Sequence, residues 1–248
     1  MDCIKLVAKP ALPAVWMGCA FCAGLGLAGV VLAALGPGEQ GTHVALKATA
    51  RLSFLLFWPA YAGGALTTLF GPAFEGLKQR ARDFGLAFAS AHLVHIALVA
   101  WLAHLGAAPS IGTFVFFGIA VVWIYLLALF SIARLQRILG STGWWLMRVI
   151  GLNYIAYAFA VDFLRVSPVV SLKYLIGYLP FSVLSIVGPL LCLAAFTRRN
   201  AYVWGFFTRN MTFWNPRPPD NRNSRPVWSG PAAVEMRNCS DTQKSAKA

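Results

Sequence analysis

The chain has 248 residues, 58% of them hydrophobic and 12% charged, with a mean hydropathy of +0.66. A soluble domain carries about 25% charged residues, so this chain has too few to cover a globular surface, and its main solvent is lipid. The formal net charge of +13 would point to nucleic acid in a soluble protein. Here the basic residues flank apolar runs, which reads as membrane topology and contact with anionic lipid, so no nucleic-acid partner is expected.

The expected fold class is all-α: an integral membrane six-helix bundle with a disordered C-terminal tail. Residues 1–10 form a cytoplasmic N-terminus, 11–197 a six-span transmembrane domain, and 198–248 a basic cytoplasmic tail. The first apolar run, from about Ala11 to Gly36, is too long for a signal-peptide core and lacks a clear cleavage site, so it reads as an anchor. Cys19 and Cys22 lie inside it. Without the soluble strand–helix setting of a redox motif, they read as small packing residues. Five scattered cysteines, an odd number, argue against a disulfide framework.

Gly36 to Gly41 is a turn. A polar stretch, Thr42 to Arg51, leads into the second span, from about Leu52 to Phe70, with Pro59 as a candidate kink. The loop that follows carries Lys78, Arg80 and Arg82. The third span covers about Phe84 to Leu105 and the fourth about Thr113 to Ile132. Gly140 to Gly143 is a break, and Trp144-Trp145 suit an interfacial aromatic belt. The fifth span runs from about Leu146 to Leu164. The sixth, from about Tyr174 to Phe196, contains Pro180 and Pro189. The tail is rich in proline and poor in apolar residues, the composition of a chain with no core of its own. Small residues, among them Gly26, Gly29, Gly63, Gly64 and Gly85, are expected at helix contacts.

With the N-terminus in the cytoplasm and six spans, 17 of the 21 Lys and Arg fall in cytoplasmic segments. Both termini are therefore expected inside a multi-pass membrane protein.

The third span holds the residues most suggestive of function. Ionisable side chains at membrane depth are costly and mark functional sites, and three of the chain's four histidines lie here: His92, His95 and His104. His92 and His95 are three residues apart and face one side of a helix. A neutral imidazole is a common haem ligand, and packing through a carbonyl hydrogen bond is the other role open to it. His104 lies near the outer end and reads as structural. Asp162 and Arg165, at the outer end of span five, can pair with each other or with His104. Asn153, Tyr154 and Tyr157 are expected to bond across helices.

The order Gly41-Thr42, Ala45-Leu46, Arg51-Leu52-Ser53, then Arg80 and Arg82 before Gly85-Leu86, with His95 ten residues past that glycine, resembles the ferric reductase-like transmembrane domain family. Its relatives include NADPH oxidases and the haem-bearing membrane subunit of the periplasmic methionine sulfoxide reductase system. The resemblance spans about residues 40 to 196. It implies a b-type haem between the third and fifth spans, electron transfer across a bacterial inner membrane, and His95 as the metal ligand with His92 as a second cofactor-binding candidate. The chain departs from the family in the fifth span, where Val149 or Ile150 and Asp162 or Phe163 stand at the histidine places. A bis-histidine haem from these two spans is thus excluded. Three options stay open: one haem held by His95 with a weak or absent partner, a ligand supplied by a partner or second copy, or a haem-free fold acting as an assembly partner or small transporter. No NAD or flavin site is legible in the chain, so electron donor and acceptor would be separate proteins. A homo-oligomer is a further expectation.

Overall fold

The computed structural model describes residues 11–132, 135–164 and 172–211. Among them the secondary structure is helical throughout: α1 (Ala11–Leu35), α2 (Glu39–Phe70), a single 3-10 turn (Pro72–Phe74), α3 (Glu75–Gln79), α4 (Ala81–His104), α5 (Ile111–Ile132), α6 (Gln136–Leu164) and α7 (Leu172–Met211). Six of these helices are long and apolar enough to cross a bilayer. The protein is an all-α, multi-pass membrane protein. The reading of a disordered tail falls largely on residues 212–248, outside the described residues. The helix itself continues beyond residue 197, to Met211.

Turns fall where glycine permits a left-handed backbone. Gly36, Gly71, Gly106 and Gly140 all have positive φ, which other residues adopt only with strain. Gly140 (φ 68°, ψ 177°) interrupts α6 at the break expected from the sequence. The polar stretch Thr42 to Arg51 is not a lead-in segment. It belongs to α2, which starts at Glu39 and runs through Pro59. Thr42 and Thr49 make this possible by turning their hydroxyls onto the carbonyls of Gly38 (2.8 Å) and Ala45 (2.9 Å), so neither side chain is left unbonded in an apolar setting.

α4 is the central helix. Of its most apolar stretch 56% is buried, against at most 39% for any other span. It packs on α1 and α2. Against α1, Ala87 and Ala91 meet Ala20, and Ser90 Oγ donates to the Met17 carbonyl at 2.9 Å. Against α2, Val94 and Leu98 meet Ala45, with Ala28 of α1 completing the cluster. A larger aromatic cluster joins Phe54 and Phe57 of α2, Phe88 of α4, Ile124 of α5, and Phe159 and Phe163 of α6. Phe54 meets Phe159 and Phe163 edge-on at 5.2 and 5.0 Å, a favoured aromatic geometry.

Polar side chains tie helices by donating to backbone carbonyls. Trp58 Nε1 donates to Leu184 O (3.0 Å) and Tyr154 Oη to Phe116 O (3.0 Å). Arg198 donates to Leu69 O (2.8 Å) and Thr68 O (3.2 Å), covering carbonyls that α2 leaves unpaired at its end. Asn153 accepts from Tyr61 Oη at 2.8 Å, so it bonds across helices as expected. Tyr157 touches the Phe116 ring instead.

The glycines that matter for packing differ from those expected. Gly26, Gly29 and Gly64 face open space, and Gly85 meets only Ala60 Cβ at 3.9 Å. Gly63 does lie against the Leu77 backbone, at 3.4 Å. The tight positions are Gly41, where a Cβ would overlap the Gly36 carbonyl, and Gly151, where it would meet the Trp123 ring at 2.9 Å. Gly41→Ala and Gly151→Ala are therefore expected to destabilise the fold by about 1–3 kcal/mol each, as overpacking does. Gly26→Ala and Gly64→Ala should leave stability unchanged or slightly raised. Thermal unfolding of the purified protein in detergent checks the contrast.

Candidate functional site

The face of α4 next to its packing stripe points into a cavity of about 530 Å³ bounded by α2, α4, α5 and α6. That volume is in the range of pockets for small molecules and cofactors. Its body is apolar, formed by Ile96, Phe117, Ile124, Ile155 and Phe159 among others. Its histidines and charged residues fall into two sets. His43, Lys47 and Asp162 come from the start of α2 and the end of α6. His92 and His95 come from mid-α4.

The two imidazoles expected from the sequence are brought together. Their rings stack with centroids 5.1 Å apart and planes 18° from parallel. Side by side on one helix, they cannot grip one metal ion from opposite faces. His104 does not join them. It is exposed and lies against Trp101, at 5.6 Å. Asp162 lines the cavity; Arg165, its expected partner, lies outside the described residues. Cys19 and Cys22 are free thiols exposed on α1, away from the cavity lining.

The decisive contact comes from a residue that sequence reasoning passed over. Thr49, 1% exposed, sets its hydroxyl 3.1 Å from His95 Nδ1. The same hydroxyl lies 2.9 Å from Ala45 O and 3.1 Å from Leu46 O. Carbonyl oxygens only accept, so the single hydroxyl proton goes either to one of them or to Nδ1. With that proton on a carbonyl, the hydroxyl oxygen accepts from Nδ1–H of His95. In that tautomer the Nε2 lone pair is available, the pattern by which a hydrogen-bonded histidine is oriented for a metal. His92 completes the picture differently. Its Nδ1 is buried and has no hydrogen-bond partner among the described residues. A buried polar atom left unpaired is costly.

No group of three or more His, Cys, Asp or Glu side chains converges among the described residues. Two imidazoles fall short of the ligand set that a protein-held zinc ion needs. They suit a metal that arrives with most of its ligands already attached, as iron does in a porphyrin. The donor set, the cavity size and the apolar walls fit one haem with a single protein ligand. They do not fit the bis-histidine arrangement of the ferric reductase-like family, because no histidine follows His104 in the chain and α6 therefore brings no imidazole to the cavity.

No family model, curated protein or solved structure matches the chain.

Thr49 could have been suspected from its neighbours. It stands four residues after Ala45 and inside the polar run preceding the second span, but only the rotation of α2 against α4 aligns it with His95. Thr49→Val is expected to cost about 1–3 kcal/mol of stability, the penalty for leaving a buried imidazole nitrogen without its partner. Thr49→Ser should recover most of it. Unfolding midpoints of the two variants in the same detergent provide the check.

Proposed function

We propose that this protein is a membrane electron-transfer subunit that holds one b-type haem in the α2–α4–α5–α6 cavity, with His95 Nε2 as its protein ligand. The observation that carries this reading is the Thr49–His95 hydrogen bond at 3.1 Å, which turns a mid-membrane imidazole into a ready ligand facing a cofactor-sized cavity. When bound, the haem supplies a one-electron carrier whose potential depends on its axial ligand and surroundings.

The chain's own residues hold and shield. Thr49 fixes the His95 ring. His92 packs in parallel beside it and adds a second buried nitrogen. Phe117, Ile124 and Phe159 keep water from the cavity body, while Lys47 and His43 offer cationic and hydrogen-bonding groups to carboxylates at the polar end. Donor and acceptor are separate molecules, both termini face the cytoplasm, and the membrane is a bacterial inner membrane. This is a divergent relative of the ferric reductase-like family that uses one histidine where others use pairs.

Colour is the test. Protein purified in detergent after haem-replete expression should show a Soret band that shifts on reduction. His95→Ala should abolish it. Thr49→Val should weaken haem affinity by about 10–100-fold, the usual effect of removing a group that orients a ligand. His92→Ala should keep a reducible spectrum. A colourless, folded wild-type preparation would overturn the reading in favour of a haem-free assembly partner or small transporter.

A further inference from the structure

A second cavity of about 310 Å³ opens between α2, α3, α4, α5 and α6 at the other end of the bundle, beside the α5–α6 connection. It shares two wall residues, Ile124 and Ile155, with the first. Its chemistry is different. Every charged residue lining it is basic: Lys78, Arg82 and Arg148.

These cations are unevenly compensated. Lys78 pairs with Glu75 at 3.3 Å. Arg82 is held in place by Ser131, donating from Nε to the hydroxyl (3.2 Å) and from a terminal nitrogen to the carbonyl (2.8 Å). Both Ser131 acceptors are neutral, so the charge of Arg82 is oriented but not neutralised. Arg148 lies over the Trp144 ring at 5.9 Å. Among the described residues, neither Arg82 nor Arg148 has an acidic partner. Arg82 on α4 and Arg148 on α6 bring two guanidinium groups to one pocket, one held by a hydroxyl and a carbonyl and one beside an indole, a donor set suited to an anion.

The depth of the pocket indicates what kind of anion. Below the cations the walls turn apolar, with Phe57, Leu86, Phe88, Leu127 and Leu152. Ala60 and Gly85 line one side, and a Cβ added at Gly85 would meet only Ala60 Cβ, at 3.9 Å. A soluble anion would leave that apolar depth unused. An amphiphile fills both parts.

We propose that this pocket binds the phosphate headgroup of an anionic phospholipid, held by Arg82 and Arg148, with the start of an acyl chain in the apolar depth. Basic pockets between spanning helices are suited to such headgroups. The site is independent of any haem, since it shares no ligand-bearing residue with the first cavity.

The test uses the full chain purified in detergent, with phosphatidylglycerol, phosphatidylcholine and inorganic phosphate as three separate probes. Phosphatidylglycerol should raise the unfolding temperature and remain as a bound adduct in native mass spectrometry. The other two should do neither. Arg82→Gln combined with Arg148→Gln should weaken phosphatidylglycerol binding by roughly 30-fold, from ~1 kcal/mol per basic residue near a lipid surface and tenfold per 1.4 kcal/mol. Gly85→Leu, which fills the pocket without changing charge, should weaken it as well. Should these variants fail to fold, a photoreactive phosphatidylglycerol on the wild-type chain should crosslink to α4 and α6 residues of the pocket. Equal stabilisation by phosphatidylcholine, a full effect from inorganic phosphate alone, unchanged affinity in the folded double variant, or crosslinks elsewhere would each overturn the assignment.

Discussion

In a bilayer the two faces of a helix meet media of similar polarity, so burial gives little reason for helices to associate. Close fit and carbonyl-directed hydrogen bonds must do that work. This constraint explains the central helix. α4 meets α1 through Ala87, Ala91 and Ala20, where small side chains bring backbones near, and Ser90 reaches the Met17 carbonyl across the gap. Only with α4 clamped on that side do His92 and His95 face a cavity rather than lipid.

The same economy governs polar groups. Trp58, Tyr154, Ser182 and Arg198 each satisfy a donor on a backbone carbonyl of another helix. Thr49 goes further, since its hydroxyl serves its own helix and the His95 ring together. In hydrocarbon, where an unpaired polar group is expensive, an arrangement of this kind rigidifies the imidazole as well as satisfying it. An imidazole held on one nitrogen, with the other left for a ligand, can ligate without reorganisation. The two cavities then divide the bundle by chemistry, one with paired imidazoles and the other with basic residues as its charged lining, meeting at Ile124 and Ile155.

Much of this was legible in the residues. The six spans follow from runs of apolar residues, and the turns at Gly36, Gly71, Gly106 and Gly140 follow from glycine's tolerance of positive φ. The proximity of His92 and His95 follows from helical spacing alone. The choice of packing glycines was not legible. Gly26, Gly29 and Gly64 look the same in the chain as Gly41 and Gly151, yet only the latter pair sit where another group leaves no room. The start of α2 was legible only in part: Thr42 to Arg51, expected to lead into the second span, is already part of its helix, with Thr42 and Thr49 bonded to carbonyls one turn back.

The sequence by itself determined that lipid is the solvent, how many times the chain can cross it, and that imidazoles lie deep on the third span. These are local properties, additive along one helix. Tertiary structure alone decided which way each helix is turned, and with it the Thr49–His95 bond, the isolation of His104 and the two cavities. The physical reason is that lipid-facing and inward-facing side chains are alike in hydropathy. Ile111 at 80% exposure and Val30 at 70% are as apolar as the buried Ile155 and Val94. No contrast along the chain marks the inner face, so it exists only once the helices are packed.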